Sequence, residues 1–180
     1  MITLVLGVPD SGKSELAEQL ATECLPGAKK LYIATMIPQG EAGAARVEKH
    51  RQNRAGKDFL TIECPVKLET VFETVKVYSP AVCLLECVSN LVGNEMHLAE
   101  NADADPEMLA DRITADIMSL SAIAAELITV SNEFDEDAPD YDDETRAYVK
   151  LTKLVNGRLL DRADKVFAYR DGGFALHENP

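Results

Sequence analysis

The residues Gly7-Val8-Pro9-Asp10-Ser11-Gly12-Lys13-Ser14 have the spacing of a loop that holds phosphate. The two glycines let backbone N–H groups turn toward an anion, Lys13 can reach β- and γ-phosphates, and the Ser14 hydroxyl is available to Mg2+. This pattern points to nucleotide binding and leaves the reaction open. A metal site of this kind needs a carboxylate, usually at the end of an apolar strand beside the strand that feeds the loop. Ala81-Val82-Cys83-Leu84-Leu85-Glu86 offers Glu86 in that setting. A glutamate reaches one methylene further than the commoner aspartate, so it suits direct coordination, a water-mediated contact or a contact to a base. A strand-end acid facing solvent is the plain alternative. His50 lies four residues after Arg46 and four before Arg54, which on a helix puts all three on one face. A neutral imidazole among cations can attack an α-phosphorus whose charge those cations hold. A surface histidine among basic residues is also often just solvated, and the residues alone leave both readings open. His97 and His177 have no such company.

Placing these groups requires a parallel sheet wrapped by helices, and the hydropathy pattern alternates accordingly. Strands are expected at Ile2–Leu6, Leu31–Ala34, Phe59–Glu63, Ala81–Glu86, Leu127–Ser131 and Lys165–Ala168. Helices are expected at Lys13–Cys24, Glu41–Arg54, Lys67–Val75, Pro106–Glu126 and Asp143–Arg162. Asp171-Gly172-Gly173 reads as a turn into a last short strand around Phe174–Leu176. The loop then sits between a strand and a helix, as its chemistry demands. No repeat or linker divides the chain, so residues 1–180 are expected to form one nucleotide-binding domain.

Composition narrows the partners. A 180-residue chain with 46% hydrophobic and 27% charged residues has enough apolar content for a folded core. A net charge of −13 opposes general attraction to nucleic acid or anionic membranes and favours small molecules or proteins as partners. The amino-terminal apolar run is too short for a membrane span or a signal peptide, and a cytoplasmic location is expected. Cys24, Cys64, Cys83 and Cys87 lack zinc spacing and read as small core residues. From Glu133 to Glu144 there are eight acidic residues and no basic one, a solvated loop whose spacing is not that of an EF-hand. Arg46, Lys49, His50, Arg51, Arg54 and Lys57 form a local basic excess that an acidic protein would not carry without cause.

Taken in order, these residues resemble the bifunctional adenosylcobinamide kinase / adenosylcobinamide-phosphate guanylyltransferase family of cobalamin biosynthesis over nearly the whole chain. The resemblance rests on Leu4-Val5-Leu6-Gly7 with Ser11-Gly12-Lys13-Ser14, on Tyr32-Ile33-Ala34-Thr35, and on Arg46-Val47-x-x-His50-Arg51-x-x-Arg54. It continues through Thr61-Ile62-Glu63, Leu84-Leu85-Glu86-Cys87-Val88-Ser89 with Asn94, and Val130-Ser131-Asn132-Glu133, and thins toward Arg146, Tyr148, Asn156 and Ala163-Asp164-Lys165-Val166. The resemblance implies a P-loop NTPase with a RecA-like, mostly parallel sheet and helices on both faces. It implies His50 as the acceptor of GMP from GTP, with catalytic support from Lys13 and Glu86. The loop Gly7–Ser14, Thr35, Arg51, Arg54, Glu63 and Glu86 would line the nucleotide, with Ser14 and Glu86 on Mg2+. Two activities follow: phosphorylation of adenosylcobinamide by ATP or GTP, and transfer of GMP to the corrinoid phosphate. A homotrimer is implied as well.

The chain departs from the family where Gly-Gly-Ala-Arg-Ser usually opens the loop and Gly7-Val8-Pro9-Asp10-Ser11 stands instead, an anion in place of a cation. Phe134-Asp135-Glu136-Asp137-Ala138-Pro139 replaces a glycine-rich stretch, and Val149, Lys150, Lys153 and Gly157 replace Arg, Asp, Gly and Gln. Two other readings remain open: a different P-loop small-molecule kinase built on Lys13, Ser14 and Glu86, and a non-catalytic GTP-binding sensor suggested by the altered loops.

Overall fold

Every residue of Ile2–Gly7 is buried, because this run is apolar on both faces and becomes the inner strand β1 of a sheet covered on both sides. The computed structural model describes residues 1–136 and 138–178. Its strands are β1 (Ile2–Gly7), β2 (Lys29–Ala34), β3 (Phe59–Glu63), β4 (Ala81–Glu86), β5 (Glu126–Asn132), β6 (Lys165–Arg170) and β7 (Gly173–Glu178). Its helices are α1 (Lys13–Glu23), α2 (Gly40–Arg54), α3 (Phe72–Val77), α4 (Val88–Met96), α5 (Pro106–Ile123) and α6 (Asp143–Leu160). The sheet order is β3-β2-β4-β5-β1-β6-β7, parallel throughout except for the antiparallel β6–β7 hairpin. Asp171 and Gly172 form that hairpin's two-residue loop with φ of 50° and 85°, the left-handed pair that a right-twisted hairpin requires.

Alternation along the strands builds two cores. Leu4, Leu6, Leu31, Ile33, Cys83, Leu85 and Leu127 face α3, α4, α5 and α6, whose Leu91, Ile113, Ile117, Leu120, Val155 and Leu159 fill the space between. Val5, Tyr32, Val82, Leu84, Ile128 and Val130 face the other way, onto Ala17 and Ala21 of α1. Those two alanines let α1 lie close to the sheet, which places its N-terminus over the strand ends. α2 lies apart: none of its described side chains belongs to either core.

The architecture is the mostly parallel α/β sheet with helices on both faces that was expected, with local corrections. β4 is not beside β1, because β5 pairs with both and separates them. α4 was not expected, since Ser89, Asn90, Gly93 and Asn94 are weak helix formers. Burial of Val88, Leu91 and Val92 overrides that weakness, and Cys87 accepts the Asn90 N–H as its cap. The expected Lys67–Val75 helix divides into a 3-10 turn at Leu68–Val71 and α3, and α5 stops at Ile123 so that Glu126 can begin β5. Asp105 and Asp142 cap α5 and α6 by accepting backbone N–H groups. Three cysteines are buried as expected, but Cys24 is exposed at the end of α1. In the acidic stretch, Glu133 pairs with Arg170 and Glu136 with Lys153, while Asp137 lies outside the described residues. Among the described residues no cluster of three or more His, Cys, Asp or Glu could hold a metal.

Candidate active site

The loop after β1 turns because two glycines permit it. A Cβ on Gly7 would meet Ser11 Oγ at 2.6 Å and Tyr169 Cβ at 3.0 Å, and Gly12 has φ of 84°, a conformation that side chains resist. Asp10 also has positive φ, 60°, which aspartate tolerates better than most residues. α1 then starts at Lys13 and offers its free N–H groups and positive dipole end to the cleft.

Lys13 is 8% exposed and its ammonium donates to the Val8 carbonyl at 3.0 Å. Burial lowers its pKa, offset in part by the Glu86 carboxylate. Ser14 Oγ donates to Glu86 Oε1 at 2.8 Å. α1 crosses β5 to reach the end of β4, so the carboxylate that the loop needs comes from the second strand over. Burial pushes Glu86 up to about 7, against the pull of Ser14 and Lys13, and Glu86 Oε2 is buried with no hydrogen-bond partner. A buried carboxylate oxygen left unmatched beside a hydroxyl is a donor set that fits a hard cation such as Mg2+.

The basic face of α2 forms the opposite wall. Arg46, His50 and Arg54 share one cleft of about 850 Å³ with Lys13, Ser14 and Glu86. His50 is half-buried, and its Nδ1 is buried without a partner. Burial lowers the His50 pKa from its usual value, and Arg54, Arg46 and Lys49 push the same way against Glu18. A neutral, nucleophilic imidazole at pH 7 is the consequence. The Arg54 guanidinium carbon lies 3.5 Å from the centroid of the Tyr32 ring, and Arg51 meets Glu63 at 3.7 Å on the exposed rim.

Pro9, Asp10, Gly12, Arg51, Arg54 and Glu63 also line the cleft. Gly7, Val8 and Ser11 shape the loop without lining the cleft, and Val8 is 48% exposed. Thr35 departs from its expected place on the nucleotide wall. It is fully buried; its hydroxyl donates to the Cys87 carbonyl at 2.8 Å and accepts from the Cys87 N–H at 2.7 Å. Thr35 therefore ties β2 to the end of β4 and holds the segment that presents Glu86.

Sequence reasoning passed over Tyr32, Asn132 and Asn90 on the cleft wall and Glu18, buried on α1 and paired with Lys57. Asn132 ends a parallel strand, where ligands of open α/β sheets gather, so its position carried a signal. Glu18 lies one helical turn after Ser14, and that too was readable. Asn90 needed α4 to be recognised first.

The family model described as "Cobinamide kinase / cobinamide phosphate guanyltransferase" matches residues 3–176. The chain is 30% identical to the bifunctional adenosylcobalamin biosynthesis protein CobU of Escherichia coli K12, over 96% of this chain and 97% of that one. It is 29% identical to the bifunctional adenosylcobalamin biosynthesis protein CobP of Pseudomonas aeruginosa PAO1, over 92% and 91%. Among solved structures, the ATPase domain of G40P superposes with a TM-score of 0.59 at 9% identity, covering 94% of this chain and 69% of that one. The flagellar accessory protein FlaH of Methanocaldococcus jannaschii gives 0.50 at 15% identity, covering 97% and 75%. These two share the fold alone.

Proposed function

The chain belongs to the cobinamide kinase / cobinamide phosphate guanyltransferase family and is an enzyme of that bifunctional kind, and from that premise we propose how its residues divide the work. ATP or GTP phosphorylates the hydroxyl of a cobinamide at the Lys13–Ser14 loop. GTP then guanylylates His50, and the corrinoid phosphate takes the GMP from it. The observation that carries this reading is that His50 opens on the same cleft as Lys13, Ser14 and Glu86.

Both steps are displacements at phosphorus, so one cradle can serve them. The α1 N-terminus and Lys13 hold phosphate oxygens, while Arg46, Arg51 and Arg54 line the side on which His50 approaches. Ser14 and Glu86 would hold Mg2+, which neutralises phosphate charge when bound. His50 needs no base to activate it at neutral pH, because burial and the arginines already keep it unprotonated.

GTP labelled in the α-phosphate should leave an acid-labile, alkali-stable label on the protein, and His50→Ala should abolish it. Equal labelling of both proteins removes His50 as the acceptor. Transfer from the γ-position to a small acceptor, with no α-label on protein, would instead mark a plain kinase. Nucleotide binding without turnover of any corrinoid would mark a sensor. Family likeness also supports a cytoplasmic homotrimer, which sedimentation and cell fractionation test.

A further inference from the structure

α2 carries His50 but buries almost no apolar surface, so something other than a hydrophobic face must seat it. Beside the exposed Arg51–Glu63 pair, two more buried contacts among the described residues hold its C-terminal end. Arg54, 8% exposed, lies on the face of Tyr32. Lys57, just past the helix, donates to Glu18 Oε2 at 2.6 Å. Glu18 is on α1, one turn beyond Ser14, and is 2% exposed. A carboxylate so buried is tolerated because it is paired, and losing the partner leaves an uncompensated charge. Glu18 is also the anion whose charge reaches His50 against those of Arg54, Arg46 and Lys49. The imidazole meanwhile keeps Nδ1 buried while its ring lines the cleft.

We propose that Glu18, held by Lys57, is a positioning residue for His50: the pair fixes the end of α2 on α1 so that Nδ1 stays inward and Nε2 receives the guanylyl group. This rests on His50 being the acceptor. In the step, the Nε2 lone pair bonds to the α-phosphorus of GTP. The bond from that phosphorus to the α–β bridging oxygen breaks, and pyrophosphate leaves with the electron pair. The Nδ1 proton remains on the ring, whose new positive charge the nearby Glu18 carboxylate offsets.

Protein carrying 15N-histidine, loaded with GTP and Mg2+ and then denatured in alkali, should show phosphorus coupling to Nε2. Coupling to Nδ1 overturns the assignment. Lys57→Ala and Glu18→Gln should each slow single-turnover labelling roughly 10–100-fold, while the GTP concentration for half-maximal rate stays within about threefold. Lys57→Arg, which keeps the cation, should recover most of the rate. Wild-type rates in both variants overturn the proposal. Lys57 is one-third exposed, so its variants remain informative even where Glu18→Gln fails to fold. Amide hydrogen exchange separates the two claims. In Lys57→Ala, exchange over residues 40–54 should quicken while β1 and β4 stay protected, and unchanged exchange over α2 overturns the anchoring. A wild type that takes no label removes the acceptor reading and the Nε2 assignment, and exchange still decides the anchoring.

Discussion

At the scale of single residues, the site is a set of ionisable groups held away from their ordinary states. Glu86 is raised from 4.5 to about 7 by burial. The folded protein therefore holds a proton that the unfolded chain releases, and without metal Glu86 makes stability fall as pH rises through roughly 4.5 to 7, then level off. Denaturant titrations across that range should show a shallower fall in Glu86→Gln than in wild type. His50 is shifted the other way, so the pH at which guanylylation falls to half its plateau should lie below the ordinary 6.5, read as initial labelling rate against pH. Asp10 places a negative charge on the wall of the cleft that we propose receives a triphosphate. Asp10→Asn should tighten GTP binding about 3–10-fold at low salt, with the gain shrinking in 0.5 M NaCl, as fluorescent-nucleotide titration would record.

Elements set the distances between these groups. Thr35 ties β2 to the end of β4, and α1 crosses β5, so Glu86 on β4 meets Ser14 on α1 although β4 and β1 are not neighbours. The loop depends on a close approach at Gly7. Gly7→Ala would drive a Cβ into Ser11 and Tyr169, displacing the loop or the end of β6, and nucleotide affinity should fall at least about tenfold by calorimetry. The sheet itself depends on packing. Leu85 is fully buried on β4, so Leu85→Ala should cost about 2–5 kcal/mol in urea unfolding while moving Glu86 by association.

For the molecule as a whole, the net charge of −13 surrounds a cleft with five cationic side chains, Lys13, Arg46, Lys49, Arg51 and Arg54. Like charges elsewhere repel one another, and salt screens that repulsion. The unliganded protein should therefore melt at a higher temperature in 0.2 M than in 0.01 M NaCl, as scanning calorimetry would show. No helix of the described residues is long and apolar enough to cross a membrane. With α3 to α6 on one face of the sheet and α1 on the other, the strand ends that face α2 are left open to form the cleft.

Much of this was written in local pattern. The glycines, Lys13 and Ser14 fix a loop by backbone rules that act over eight residues, and short, mostly apolar runs mark β1, β4 and β5 as strands. The spacing of Arg46, His50 and Arg54 put them on one helix face. Those signals are local because φ, helical periodicity and strand alternation are local. Sheet order is not, so the strand between β1 and β4 was invisible, as was the burial that turned Thr35 from a wall residue into a tie. α4 was missed because its helix is stabilised by the core it covers rather than by its own residues. The same holds for the contact of Glu18 with Lys57. They lie 39 residues apart in the chain, and only packing of α1 against the end of α2 brings an ammonium to a buried carboxylate.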